Sequence, residues 1–542
     1  MRQKNYLLVL LDVLMLLGCI GIVWLIGYLA DPQDRRKSTP PDTAMEPGAG
    51  GGRATPSDAG LPDGLKPGET DQGHETGYGY ETIPGQAEAE ERERQRQAWL
   101  DAERNRRIRQ QRRCAGETNA AEGPAEPEEE PYVPPTIMLA SDLHFMSKTT
   151  HDGGSAFWKM TAGDDGKVNQ YSEEMTDALL ETAIRNRPAA LVLSGDITLN
   201  GERENHEQLA RKLRRVQEAG GPGVGIPGNH DINNRNAATY FGDKREKAEY
   251  LETGEDFLEI YHEFGYDQSP NRDPNSLSYV YPVDASHWLL MLDTCQYENG
   301  SHVNGRLKQE TLDWLKVHLE VAEENQIQVL PVAHHNLLSE SRLYTTDCTL
   351  ENHGQVVDLL EQFETPLYVS GHLHAQRIKK HKEEPGAPED TYGITEIVLS
   401  PYSIAPNQYG ELYWNTPEDM AFTTRQVDVA AFAAEDGSEN MELLRFGEYA
   451  AEYLKQVITA QVMEKITLVP DDLKERMARL YAELYYDYCA GNRTSWDEVE
   501  ATAGYRLWQR VDPDGRYTAE IGQMIEDTRE DLHEWKTHKT GE

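Results

Sequence analysis

Five short apolar runs constrain this chain more than any other feature. They are "TIMLASD", "ALVLSGD", "GVGIPGN", "IQVLPVAHH" and "PLYVSGH", starting at Thr136, Ala190, Gly223, Ile327 and Pro366. Each is short, rich in branched apolar residues and closed by a polar or glycine-bearing turn, the pattern of a buried strand. Between them, "SEEMTDALLETAIRN", "NHEQLARKLRRVQEA", "QETLDWLKVHLEVAEEN" and "GQVVDLLEQF" space their apolar residues as one helix face does. Strand and helix in alternation predict a layered α/β domain. "SYVYPVDASHWLLMLD" breaks the alternation with a strand pair, and "EIVLSPYS" and "AFTTRQVDV" add late strands.

This texture fills residues 131–437. Beyond it, over 438–542, Leu443, Leu444, Phe446, Tyr449, Tyr453, Leu454, Val457 and Ile458 make one helical stripe, and Leu473, Met477, Leu480, Leu484 and Tyr488 make another. A C-terminal helical region follows, with the stripes read as packing core. "LYAELYYDY", Leu480–Tyr488, is also a candidate stacking surface if the helices cap a site. Ahead of the domain, Leu7–Ala30 is apolar apart from Asp12. A run of this length can cross a hydrocarbon core of about 30 Å, so residues 1–30 are expected to be an uncleaved transmembrane anchor. Arg2 and Lys4 precede it, so the rest of the chain, including the α/β domain, is expected outside the cell. Residues 31–130 are rich in Gly, Pro, Ser and Asp and read as a disordered tether.

The chain has 53 basic and 94 acidic side chains, a net charge of −41. Such a surface repels polyanions, so no nucleic-acid polymer is expected as a partner. A small anion can still be held where metal ions reverse the local sign. Cys19, Cys114, Cys295, Cys348 and Cys489 contain no C-x-x-C pair, so neither a thiolate zinc site nor a disulfide framework is signalled.

The strand ends carry the chemistry. Asp142 and His144 close the first run, Asp196 the second, Asn229 and His230 the third, His334 the fourth, and His372 and His374 the fifth. Ligands gather beyond the carboxyl ends of strands in open α/β folds, so these residues should converge. Alternation along an extended strand puts positions i and i+2 on one side, which pairs Asp142 with His144 and His372 with His374. Two carboxylates, four imidazoles and one amide oxygen suit divalent Mn, Fe, Zn or Co. Seven donors exceed one tetrahedral ion, whereas two ions sharing a carboxylate use them well. Two ions about 3.5–4 Å apart can activate a bridging water and clamp a phosphoryl group, which makes phosphate ester hydrolysis the natural reaction.

Asp-x-His, Gly-Asp, Gly-Asn-His-Asp, His and Gly-His-x-His in this order resemble the calcineurin-like metallophosphoesterase superfamily over roughly Thr136 to Ser400. The resemblance implies a four-layer β-sandwich flanked by helices, with two divalent metals at one edge. It implies Asp142, His144, Asp196 and His374 at one metal, and Asp196, Asn229, His334 and His372 at the other, with Asp196 bridging. It makes His230 the non-ligand histidine that holds the phosphate and protonates the leaving oxygen, with Asp231 orienting its imidazole, and it favours His334 over His335. His151, His206 and His353 are left to ordinary polar or packing use. Leu199 stands where protein Ser/Thr phosphatases of the superfamily have Asp and purple acid phosphatases have Tyr, so both branches are disfavoured. The Gly-Asn-His-Asp block looks most like class III cyclic nucleotide phosphodiesterases and their bacterial surface relatives. The implied activity is hydrolysis of a small phosphodiester by a metal-bridging hydroxide; a phosphomonoesterase of the same fold and a non-catalytic surface scaffold are the alternatives.

Overall fold

The computed structural model describes residues 132–339, 343, 347–381, 393–467, 469–512 and 515–537. The expected anchor (1–30) and tether (31–130) lie outside the described residues. Among the described residues, no helix is long and apolar enough to cross a membrane.

In chain order the strands are β1 (Thr136–Ala140), β2 (Ala190–Ser194), β3 (Gly223–Ile226), β4 (Ala238–Phe241), β5 (Lys244–Lys247), β6 (Tyr279–Pro282) and β7 (His287–Leu292). They continue with β8 (Gln328–Ala333), β9 (Leu367–Ser370), β10 (Arg377–Lys380), β11 (Thr395–Val398), β12 (Gln408–Thr416), β13 (Asp419–Gln426) and β14 (Glu534–Lys536). All five opening runs are strands. One sheet has the order β14-β13-β12-β1-β2-β3 and the other β10-β11-β9-β8-β7-β6, while β4 and β5 form a separate hairpin. The central strands run parallel: β1 with β2 and β2 with β3 in the first sheet, and β7, β8, β9 and β11 in the second.

Period-two alternation explains the layering. In β7, Leu289 and Met291 enter the core that joins both sheets, while Trp288, Leu290 and Leu292 face a second cluster. Tyr368 on β9 does the same between Leu367 and Val369. That outer cluster is closed by Leu312, Leu315 and Leu319 of helix Gln309–Glu324 and by Val356 and Leu360 of helix His353–Gln362. On the other flank, Leu179 of helix Ser172–Asn186 and Leu209 and Leu213 of helix Arg203–Glu218 join the larger core. Each fully buried leucine contributes about 1.5–3 kcal/mol. The result is two sheets between two helical layers.

The C-terminal region is helical, with one addition. Ala450, Leu454, Ile458 and Val462 bury one face of helix Phe446–Lys465 in the same cluster as Met477, Leu480 and Leu484 of helix Asp471–Ala490. Tyr481, Tyr485 and Tyr488 are buried as well, so these aromatics are core, while Tyr486 is half-buried with Lys455 Nζ 5.1 Å from its ring centroid. After helix Arg516–Asp527 the chain returns to the sandwich, where β14 pairs antiparallel with β13, Trp535 opposite Phe422. Three residues are too short for a periodic signal, which is why this strand escaped the sequence reading. It covers the edge that β13 would otherwise expose.

Candidate metal centre

The site is built from loops at the carboxyl ends of β1, β2 and β3 in one sheet and β8 and β9 in the other. Extended-strand alternation does not pair the ligands as expected. Asp142 (φ 52°), His144 (φ 43°), Asp196 (φ 45°), His372 (φ 68°) and His374 (φ 55°) all adopt left-handed backbone beyond the strands; Asp142 and His144 share one ligand group, whereas His374 joins that group and His372 the other. Such conformations cost on the order of 1–3 kcal/mol each and concentrate at functional sites. Cross-loop hydrogen bonds hold them: Asp142 N to Gly195 O (3.1 Å), His144 N to Asp196 O (2.9 Å) and His372 N to Asp142 Oδ2 (3.1 Å). A Cβ on Gly371 would run into Ser141 Oγ, so only glycine permits this approach of the β9 loop to the β1 loop.

All seven expected donors converge, and all are buried. Ligand atoms of Asp142, His144, Asp196 and His374 lie within 4.8 Å of one another, and so do those of Asp196, His334 and His372. His144 Nε2 faces His374 Nε2 at 3.1 Å. His334 Nε2 is 3.2 Å from His372 Nδ1 and 3.1 Å from Asn229 Oδ1. Asp196 joins the groups, its Oδ2 3.3 Å from His334 Nε2 and 3.8 Å from His144 Nε2.

The far side of the rings explains why these nitrogens face inward. His334 Nδ1 donates to Ser194 O (3.0 Å), His372 Nε2 to Asp347 O (3.2 Å) and His374 Nδ1 to Asp165 Oδ2 (2.7 Å). With the proton on the outer nitrogen, the inner one presents a lone pair, as a metal-ligating histidine does. Asp142 Oδ1 has no hydrogen bond although His374 Nε2 is 3.3 Å away, and buried His144 Nδ1 also lacks a partner. Lone pairs aimed at lone pairs, beside an unsatisfied carboxylate oxygen, fit cations at the centre. The buried Asp and His cluster thus fits a site for two metals.

Charge supports the same conclusion. Burial opposes ionisation here, yet His374 and His334 hold the Asp142 carboxyl below the usual range, and His334 and His230 do so for Asp196. Against burial, Asp196 and Asp142 push His334 up to about 9, and Asp165 and Asp142 push His374 up to about 9. Burial and then His334 lower His372 to about 3. The carboxylates draw positive charge into a buried space, and a divalent ion would meet that demand while displacing the imidazole protons.

His230 is half-buried at the rim, its ring 4.9 Å from that of His144 and nearly perpendicular to it. Its Nδ1 lies 2.9 Å from Leu199 O and 3.1 Å from Asn200 Oδ1, which leaves Nε2 for a ligand. Asp231 does not orient this imidazole, contrary to the sequence expectation. Consecutive residues of the turn point apart, and the Asp231 carboxylate is fully buried, accepting from Ile197 N (3.0 Å), Thr198 N (2.9 Å), Thr198 Oγ1 (2.8 Å) and Gly228 N (2.8 Å). It ties the loop of Asp196 to the loop of Asn229. Burial, then the Asp196 charge, raises it to about 7.

His335 lies 2.7 Å from Thr294 Oγ1 and 3.0 Å from Val303 O, which occupies both ring nitrogens. His206 bonds Tyr261, Thr198 and the Asp231 carbonyl, and His151 stacks on Phe157. Sequence reasoning missed Asp165, behind His374, and Ser301, whose hydroxyl donates to Asn229 O. The acidic, glycine-flanked "GDDGK" at Gly163–Lys167 was the available signal for the first.

Comparison with known proteins agrees. The sequence profile described as calcineurin-like phosphoesterase matches residues 135–376, and that described as the C-terminal domain of cyclic nucleotide phosphodiesterase matches 428–531. The second begins before residue 438 and takes in helix Val429–Glu435, assigned above to the α/β domain. The chain is similar to the glycerophosphodiester phosphodiesterase GpdQ of Enterobacter lignolyticus (strain SCF1), 27% identical over 250 residues that make up 46% of this chain and 74% of the relative. Among solved structures it resembles a dimetal phosphatase from Danio rerio (TM-score 0.39, 14% identity, 54% of this chain, 96% of that one). It also resembles TT1561 of Thermus thermophilus (TM-score 0.31, 11% identity, 54% of this chain, 100% of that one). The family rests on the profile matches and the strand-end motifs rather than on these low-scoring likenesses. The chain thus contains a calcineurin-like phosphoesterase domain over residues 135–376, followed over 428–531 by a domain matching the C-terminal domain of cyclic nucleotide phosphodiesterase.

Proposed function

We propose that the protein hydrolyses small phosphodiesters, cyclic nucleotides among them, at two divalent metal ions. The observation that carries this reading is the convergence of seven buried donors on two adjoining groups that share Asp196. The phosphodiester preference is supported by the description of the C-terminal domain and by the name of the GpdQ relative.

Asp142, His144, Asp196 and His374 would hold one metal, and Asp196, Asn229, His334 and His372 the other. When bound, two such ions lower the pKa of water and draw charge from phosphoryl oxygens. The chain's residues do the rest. Main-chain anchors on His334 and His372 fix their rings before substrate arrives, so little reorganisation is needed on binding. As a water oxygen joins phosphorus, the ester P–O bond breaks and the leaving oxygen must take a proton. His230, with its ring doubly protonated, would supply it from Nε2, while Leu199 O and Asn200 Oδ1 hold the Nδ1 edge of the ring. Asp231 keeps the loops of Asp196 and Asn229 in register.

The test is turnover of matched aryl phosphate mono- and diesters with Mn²⁺ added or chelated. Metal-dependent diester cleavage that is faster than monoester cleavage is expected. Monoester preference would make the protein a phosphatase, and no turnover with both metals bound would favour the scaffold.

A further inference from the structure

His374 differs from the other anchored ligands. His334 and His372 donate to main-chain carbonyls, whereas His374 donates to a carboxylate, Asp165. Asp165 Oδ1 in turn takes a hydrogen bond from Lys167 Nζ (2.6 Å), which also reaches Asp164 Oδ1 (3.0 Å), and Asn169 Nδ2 donates to Asp164 Oδ2 (3.1 Å). Asp165 and Lys167 are 1% and 5% exposed. An acid buried this deeply persists only with a paired cation and full hydrogen bonding, so the loop is built around this contact.

Val168 N ties the end of this loop to Ser403 O of the sandwich (2.9 Å), and the C-terminal domain packs over the rest of it. Gln461 Nε2, on helix Phe446–Lys465, donates to Asp164 O (2.8 Å). Two turns before it, Leu454 covers Gly166, at φ +96°, so closely that a Cβ there would strike the leucine side chain. Gln170 Nε2 donates to Tyr449 OH (2.8 Å) from the same helix. The backbone leaving His374 is gripped from the other side. Gln376 N donates to Cys489 O (3.0 Å), and Arg377 bonds the Asp527 carbonyl. Asn229, His334 and His372 take their described hydrogen bonds from the sandwich and its loops alone.

We propose that Asp165 is a positioning residue for His374, and that the C-terminal domain, through helix Phe446–Lys465 and its grip on Gln376 and Arg377, sets the affinity of the metal site containing His374 while leaving the other site unaltered. This rests on the two-metal reading above. A carboxylate behind a ligating histidine fixes the ring and raises its basicity, and its loss costs about 10–100-fold in metal affinity. The C-terminal helices would thereby act on one of the two ions without touching substrate.

The experiment measures Mn²⁺ stoichiometry and affinity by competition with a chelator, with circular dichroism and thermal melting to establish folding. Variants are Asp165→Ala, Asp165→Asn and the pair Leu454→Ala with Gln461→Leu. Wild type is expected to bind two ions. Asp165→Ala should keep one at wild-type affinity and weaken the other about 10–100-fold. Asp165→Asn should recover part of this, since the amide oxygen still accepts from Nδ1. The paired variant should weaken the same ion by a smaller factor, and it carries the test with Asp165→Asn if the alanine variant fails to fold. Both ions retained unchanged in the Asp165 variants, or both weakened equally, would overturn the positioning role. An unchanged paired variant would overturn the role of the C-terminal domain. Wild type that takes up no metal would sink the two-metal reading itself, an outcome distinct from two ions bound alike in every variant.

Discussion

The sandwich fixes His334 and His372 through carbonyls of its own main chain, Ser194 O and Asp347 O, while His374 leans on a side chain whose loop is packed against the C-terminal helices. Ser194 ends β2, so the His334 anchor moves only if the sheet end moves and should be as durable as the fold, while the His372 anchor, Asp347 O, sits in the loop between β8 and helix His353–Gln362. A carboxylate on a clamped loop can shift while the sheets stay intact, which leaves the other half open to tuning from a distance. Asp196 belongs to both halves.

The largest effect should come from that shared residue. Asp196→Ala is expected to empty both halves and abolish turnover, read as metal content after dialysis; one ion retained would mean that the halves are independent. His230→Ala comes next. It should leave metal content intact and lower kcat on the order of 10²–10⁴-fold, and loss of metal instead would place His230 among the ligands.

A third substitution separates the supports. Buried Glu396 accepts from Leu337 N (2.8 Å), Leu338 N (2.7 Å) and Ser370 Oγ (2.6 Å), with Lys379 Nζ 3.5 Å away, and so secures the loops that follow His334 and precede His372. Glu396→Ala strands a buried lysine and should cost about 3–5 kcal/mol in urea unfolding. If this half fails with the fold, stability and metal are lost together. Selective loss of one metal with unchanged stability would erase the contrast with Asp165.

The smallest effect is a pH dependence confined to the C-terminal domain. Glu520, buried beside Tyr481 and Arg516, is raised by burial from 4.5 to about 7. Its folded pKa exceeds the unfolded one, so its contribution to stability is full below 4.5 and is lost as pH rises to about 7. Glu520→Gln removes that loss. The variant should match wild type in unfolding free energy at pH 4 and exceed it above pH 7, by up to about 3 kcal/mol. A difference independent of pH would contradict the assignment.

The same contrast separates what could be read in the sequence from what could not. Asp142, His144, Asp196, Asn229, His334, His372 and His374 were legible because each follows an apolar strand run, and strand ends in such folds gather at one edge. Asp165 was not: 209 positions separate it from His374, it follows no strand run, and only the folded packing of its loop brings the two together. Asp231 misled because sequence adjacency to His230 says nothing about direction across a turn. The left-handed backbone at five of the ligands was likewise invisible to a reading based on extended alternation. Strand β14 failed for want of length.

The most direct test of the central claim is electron paramagnetic resonance of the Mn²⁺-saturated protein. Two ions sharing Asp196 should give the multiline signal of an exchange-coupled pair, and Asp196→Ala should abolish it. An uncoupled six-line spectrum at saturation, or a pair signal that survives Asp196→Ala, would contradict the shared centre on which the account rests.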